Sequence, residues 1–432
     1  MPRDHDERTE SQAVTAEAKY RLLLEILQKL SGTLDLEKIL SHLLDAVGLV
    51  VSYDAAGIFV LNRGELPIGK GPMTNLIAGV ATRGFEFRAP EQDPMLRSGK
   101  GIIGSVIRTG KSTVVPDVRR DKRYVEGRRE TRSEIAVPIA LQGRVIGALN
   151  LESDQICAFT EADVEMLQFF ANAAAISIEK AVLHRQLLEK KDIERQLGIA
   201  REVQTSLLPV APPRIDGYDI AAVNLPSYEI GGDYYDFIRF SNGHLGVAVA
   251  DVSGKGIPAA LIMATFRAVL RTQVRNDFEL SHIMHSVNLL LSESIGASNF
   301  VTAVYGVLNP EVGTYVYSNC GHNPPVLLRS DGRIETLNQG GPALGVFKEA
   351  GYETAFTTLG EEETLVLFTD GVIETTDLQG HEFGLERLEE VLRGAGDRSA
   401  GRMIQAVIDE TRSFSGREAY QDDFTLIVLK RR

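Results

Sequence analysis

Cysteine is scarce in this chain of 432 residues: Cys157 and Cys320 stand alone and far apart. They offer neither a disulfide framework nor a thiolate metal spacing, and that fits a reducing cytoplasm. Basic residues are outnumbered as well. With 46 Lys and Arg against 59 Asp and Glu the formal charge is −13, which excludes a general polyanion binder, so no nucleic-acid partner is expected and any phosphate ligand must be held locally. No uninterrupted apolar run approaches the roughly 18 residues that cross a bilayer, and the charged stretch Met1 to Glu10 is not signal-like. The expectation is a soluble cytoplasmic protein without a membrane partner. Two nucleophile and phosphate signatures are missing too: there is no Gly-x-Ser-x-Gly elbow, and Gly254-Lys255-Gly256 is too short for a Walker-type loop.

Between Glu161 and Leu207 proline is absent and Gly198 is the one glycine. A helix of some 45 residues, about 65 to 70 Å long, is therefore expected. Residues 1–33 read as a polar tail followed by an amphipathic helix, with Leu22, Leu23, Ile26, Leu27 and Leu30 at helical spacing. Residues 34–178 mix both element types. They comprise a helix from Leu36 to about Val51, a strand Ala55 to Leu61, a long irregular stretch and a short helix opened by Gly101-Ile102-Ile103-Gly104. Two strands follow, Ile135 to Leu141 and Arg144 to Glu152, joined across Gln142-Gly143. Thr160 is placed to cap the long helix, with Glu161 and Asp163 in its first turn. Residues 179–212 form its charged second half. Ile193, Leu197, Ala200 and Leu207 lie near heptad spacing and Gln204 interrupts them, a pattern that suits a short parallel coiled coil, hence a homodimer, as well as it suits a solvated connecting helix. Leu208-Pro209 and Pro212-Pro213 stop it. Residues 213–432 carry short Val-, Ile-, Phe- and Tyr-rich runs, with hairpin turns at Asn242-Gly243 and Asp331-Gly332. Two helix pairs interrupt the strands, between Pro258 and Ile295 and between Leu385 and Phe414. That order implies two sheets face to face with helices outside, an α-β-β-α sandwich in an α+β chain.

Aspartates end or begin several of these apolar runs. Asp251 follows Val247-Ala248-Val249-Ala250, Asp370 follows Leu365-Val366-Leu367-Phe368, and Gly231-Gly232-Asp233-Tyr234-Tyr235-Asp236 and Asp422-Asp423 flank others. An isolated carboxylate led out of a core loses hydration without return unless it is paired or metal-bound. Carboxylates with no His or Cys among them suit hard cations such as Mg or Mn rather than zinc. Two such ions held close together lower the pKa of a shared water and stabilise an in-line phosphoryl displacement without a covalent nucleophile. The glycines after Asp251 would leave the Val252 carbonyl free as a further ligand.

From about Ala200 onward a resemblance is carried by several motifs. These are Glu202-Val203-Gln204, Leu207-Leu208-Pro209, the Gly231 to Asp236 stretch, Ala250-Asp251-Val252-Ser253-Gly254, Phe300-Val301-Thr302, Gly321-His322-Asn323-Pro324-Pro325, Phe368-Thr369-Asp370-Gly371 and Asp422-Asp423-Phe424-Thr425. This half resembles the bacterial PPM-type serine/threonine phosphatases that control sigma-factor partner switching and sporulation. The resemblance implies two Mn2+ or Mg2+ ions, with Asp251 bridging them, Val252 a backbone ligand, Asp370 and Asp422 on one ion, and Asp233 on the other. Asp236 and Asp423 would be neighbours outside the ligand set. It also implies a phosphorylated protein substrate, an anti-sigma-factor antagonist. The eukaryotic branch of this fold places a histidine after its bridging Asp-Gly and an arginine on the phosphate. Here Ser253 stands near the first position and no arginine matches the second. His322 reads as a turn-stabilising residue before a proton donor, while Lys255 could meet phosphate or be solvated.

Residues from about Leu34 to Ile178 resemble a GAF domain, through Gly101-Ile102-Ile103-Gly104-Ser105-Val106, Val114-Val115-Pro116-Asp117-Val118, the hairpin Ile135 to Leu151, and Phe159-Thr160-Glu161-Ala162-Asp163. Such domains bind small molecules or merely dimerise. The reading is a sensor-regulated phosphatase. Its rivals are a non-catalytic scaffold with a phosphatase-like fold and a hydrolase of small phosphoesters.

Overall fold

Strands such as Leu365-Val366-Leu367-Phe368 can be apolar without interruption only if both their faces are covered, and the architecture provides that cover twice. The computed structural model describes residues 35–62, 76–85, 100–227, 230–277, 279–296, 298–417 and 419–432. The amphipathic helix expected at Leu22 to Leu30 lies outside them. The chain forms two compact units, Met1–Asp192 and Ile193–Arg432.

In the first unit, β1 (Ala55–Asn62), β2 (Leu76–Arg83), β3 (Thr113–Val115), β4 (Ser133–Leu141) and β5 (Arg144–Ser153) form one antiparallel sheet in the order β2-β1-β5-β4-β3. The β4–β5 hairpin turns on Gln142 and Gly143, both at positive φ (49° and 82°), which matches the twist of the flanking strands. One face, with Ile58, Ile135, Val137 and Leu149, packs on Leu40 and Leu44 of the helix Leu36–Gly48 and on Leu167 and Phe170 of the helix Glu161–Leu207. The stretch between Leu61 and Gly101, read as irregular, contains β2. Gly79 within it and a register shift at Ile58/Phe59 break the period-two pattern that would have marked a strand.

The long helix is present as expected, running unbroken over 47 residues. Asp163 Oδ2 accepts from the Thr160 amide (2.8 Å) and hydroxyl (2.7 Å), so the aspartate takes the role that Glu has in a capping box, while the Thr160 hydroxyl donates to it rather than accepting from a helix N–H. By length and composition this helix is also apolar enough to cross a membrane, although it contains no long uninterrupted apolar run. Leu167, Phe170, Ala171, Ala174 and Ile178 are instead buried in the first unit's core.

In the second unit, β6 (Tyr218–Leu225), β7 (Tyr234–Arg239), β8 (Leu245–Val252), β9 (Val301–Asn309), β10 (Thr314–Cys320), β11 (Val326–Leu328), β12 (Ile334–Thr336), β13 (Gly340–Gly341), β14 (Ala355–Thr358), β15 (Thr364–Phe368) and β16 (Phe424–Arg431) divide into two sheets. One has the order β13-β10-β9-β8-β7, with β14 beside β10; the other is β12-β11-β15-β16-β6. Val247, Val249, Leu365, Leu367, Ile427 and Leu429 interdigitate between the sheets. The alternate residues face outward. Ala248, Ala250 and Val252 meet the helices Ile257–Asn276 and Leu280–Ser294, while Val366, Phe368 and Val428 meet Gly384–Gly394 and Ala400–Ser415. The α-β-β-α sandwich is as the sequence implied.

Candidate metal centre

Antiparallel pairing brings the aspartates to one end of the sandwich. Tyr234 opposes Ala250, so Asp233 at the start of β7 and Asp251 at the end of β8 lie at the same edge. Phe368 opposes Leu426, which does the same for Asp370 after β15 and Asp422 before β16. The sheet topology, rather than any local motif, makes the cluster.

Asp233 is buried, and its Oδ2 accepts from Thr369 Oγ1 (2.8 Å) and Thr425 Oγ1 (2.5 Å). Its Oδ1 has no hydrogen-bond partner. Burial first, and then the charge of Asp251, raise its carboxyl well above the usual range. Asp251 is pushed up to about 7 by burial and by the charges of Asp370, Asp422 and Asp423. Asp370 is raised by burial and by Asp422. A set of carboxyl groups that hold one another protonated is a set short of positive charge. Among the described residues no three His, Cys, Asp or Glu side chains are gathered closely enough to hold an ion unaided, so a cation here would also draw on main-chain oxygens and water. Gly232 lies against the Val252 carbonyl, where a Cβ would sit 3.0 Å from that oxygen. An orphaned buried carboxylate oxygen and an all-oxygen donor set fit a hard divalent cation.

The neighbouring acids behave differently. Asp236 is fully buried and grips Arg271 through two bonds (2.6 and 2.8 Å), with the Tyr234 hydroxyl also donating to it. Asp423 accepts from Ser227 N (2.8 Å), Ser227 Oγ (3.0 Å) and Gly232 N (2.6 Å), which ties two loops together. Gly231 and Gly371 are needed for that fit, since Cβ atoms there would lie 2.4 Å from Asp423 Oδ2 and 2.1 Å from its carbonyl. Lys255 Nζ pairs with Asp422 Oδ2 at 2.8 Å and reaches the Gln421 carbonyl at 3.1 Å. His322 is buried, its Nε2 3.0 Å from the Phe368 carbonyl and its Nδ1 2.8 Å from Thr302 Oγ1. A carbonyl only accepts, so Nε2 carries the hydrogen and Nδ1 accepts from the threonine. Burial lowers its pKa to about 4, so it is a neutral residue that secures the turn.

The sequence assigned no contact of their own to four contributors. Thr369 and Thr425, seen there only as parts of the motifs around Asp370 and Asp422, orient Asp233. Gln204, near the end of the long helix, donates to the Gly231 carbonyl (2.6 Å) and accepts from the Gly231 amide (3.2 Å). Arg271 has no local signal at all.

A family model of Stage II sporulation protein E (SpoIIE) matches residues 241–432, and a GAF domain model matches residues 33–179. Phosphoserine phosphatase RsbU of Bacillus subtilis (strain 168) is 30% identical over 246 residues, a span of 56% of this chain and 72% of RsbU. Phosphoserine phosphatase RsbP of the same organism is 28% identical over 195 residues, covering 43% of this chain and 47% of RsbP. The SiaA-PP2C domain of Pseudomonas aeruginosa shares the fold at a TM-score of 0.50 and 19% identity, over 56% of this chain and 98% of that domain.

Proposed function

Because this chain belongs to the RsbU family of phosphoserine phosphatases, with a SpoIIE-type unit following a GAF domain, we propose that it is a sensor-regulated, metal-dependent phosphatase acting on phosphoserine or phosphothreonine of a protein. Its substrate in this reading is a phosphorylated anti-sigma-factor antagonist in a cytoplasmic partner-switching pathway. The observation that carries the reading is Asp233 Oδ1, buried and without a partner beside a protonation-raised Asp251. We assign two Mn or Mg ions to this site: Asp251 would be shared between them, Asp370 and Asp422 would hold one and Asp233 the other, with the Val252 carbonyl as a further ligand. Bound ions would supply the positive charge that in-line displacement at phosphorus needs. Thr369 and Thr425 hold Asp233 in one orientation, and Lys255 holds Asp422. Ile176, Leu183 and Leu187 are exposed at steps of seven and four along the long helix, which supports a paired-helix homodimer.

The test is phosphate release from a panel of phosphoproteins and small phosphoesters, with manganese, with magnesium and in chelator. Turnover of a phosphoserine protein that appears only with metal is expected. Full turnover in chelator would sink the metal assignment, and turnover confined to small phosphoesters would sink the protein substrate.

A further inference from the structure

In the first unit, the sheet face opposite the helix Leu36–Gly48 carries a buried acidic pair. Glu134 on β4 and Glu152 on β5 stand directly opposite each other in register, 3% and 4% exposed. Like charges opposed across a ladder are destabilising, and burial removes their hydration as well. Asn150 Nδ2 lies 3.4 Å from a carboxylate oxygen of each, and Thr131 Oγ1 donates to Glu152 at 2.5 Å. The nearby guanidinium groups are engaged elsewhere, Arg123 with Asp121 and Arg128 with Asp154. Burial raises both glutamates above the ordinary carboxylate range, with the charge of Glu152 adding to the effect on Glu134 and that of Asp154 to the effect on Glu152.

A separate observation points to a ligand. Asn150 is fully buried, and its carbonyl oxygen has no hydrogen-bond partner. It faces Gly57 across the β1–β5 register, where a Cβ would stand 3.1 Å from that oxygen. Two residues along each strand, Ala136 and Ala148 continue the same face beneath Ile102 and Val106, apolar and small.

We propose that this face is the sensor's ligand site and that it takes a small molecule presenting a primary ammonium group. The three N–H donors of an ammonium match three acceptors, one oxygen each from Glu134 and Glu152 and the Asn150 carbonyl. A bound cation favours the ionised form of both carboxylates, so any proton that the pair carries passes to the buffer. The proposal names the ligand class for the GAF reading, and it depends on the phosphatase reading only for the effect of binding on turnover.

The experiment titrates the full chain calorimetrically with ethylammonium, phenethylammonium and alanine methyl ester, with ethanol, propionate and Mg2+ as controls. Saturable binding by ammonium compounds alone is expected, with net proton release when buffers of different ionisation enthalpy are compared. Glu134→Gln should weaken it about tenfold or more, and Glu134→Gln/Glu152→Gln should abolish it. The double variant should melt no lower than the parent, because the repulsion is gone. Absence of saturable binding by any ammonium probe would overturn the proposal. So would equal affinity in parent and double variant, which would make the acids purely structural, or binding of Mg2+ lost in the double variant, which would make the site metallic. A failed phosphatase reading would leave these heats unchanged.

Discussion

Asp251 links chemistry to stability through the sign of its shift. Its folded-state pKa of about 7 exceeds the ordinary 3.8. Between those values the folded chain therefore binds more protons than the unfolded one. Its contribution to stability is fully present below the lower value and is lost as pH rises through the upper. In chelator, the melting temperature of the phosphatase unit should fall as pH rises across that window. Asp251→Asn should flatten this fall, raise the melting temperature at neutral pH and abolish turnover; a variant that melts lower than its parent would contradict the argument. Asp236→Asn should do the opposite. Its carboxylate is engaged with Arg271, so a loss of about 2 kcal/mol in stability is expected, discounted because Arg271 is partly exposed. Activity per folded molecule should persist, as thermal melts beside a metal-saturated assay would show. Asp251 and Asp370 were legible because each ends an apolar run, a pattern visible along the chain. Arg271 was not, because it meets Asp236 from 35 residues away across a helix-to-strand packing contact.

Among the elements, the last turn of the long helix is where the expectation and the structure part most usefully. Gln204 looked like a flaw in a heptad; in the fold it clamps both polar atoms of Gly231, two residues before Asp233. Arg267 also donates to the Leu207 carbonyl at 2.8 Å, securing the same helix end. Gln204→Leu should improve the apolar seam while releasing the Gly231 loop. The predicted result is a several-fold rise in the manganese concentration needed for half-maximal activity, with a stability loss of only about 1 kcal/mol, typical of a partly exposed hydrogen-bonded pair. An unaltered metal titration would reduce the clamp to a local staple. Long, capped or strongly apolar elements were legible here, since their signals lie within a few residues. Strands such as β2, interrupted by its glycine, and β13, a two-residue parallel pairing with β10, depend on partners already in place and leave little trace in the sequence.

On the scale of the whole molecule, one helix belongs to both compact units, and the boundary between them falls within it, between Asp192 and Ile193. Its first half is part of the sensor core and its end is bonded to Gly231 and Arg267 in the phosphatase unit. An element whose two ends are fixed in two cores can transmit a change in either, provided the backbone between is continuous. Ile193 is a suitable place to test this, since its side chain is exposed and little packing is lost with it. Ile193→Pro removes a backbone hydrogen bond and places the ring against the preceding turn, at about 3 kcal/mol or more. Ile193→Ala keeps the helix and serves as the control. We expect the proline variant to keep a cooperatively melting phosphatase unit and to bind the same ammonium probes as the parent, yet to hold one rate of phosphate release whether or not they are present. The alanine variant should respond as the parent does. Equal responses from both variants would mean that the signal does not travel through the helix, even if both sites are assigned correctly.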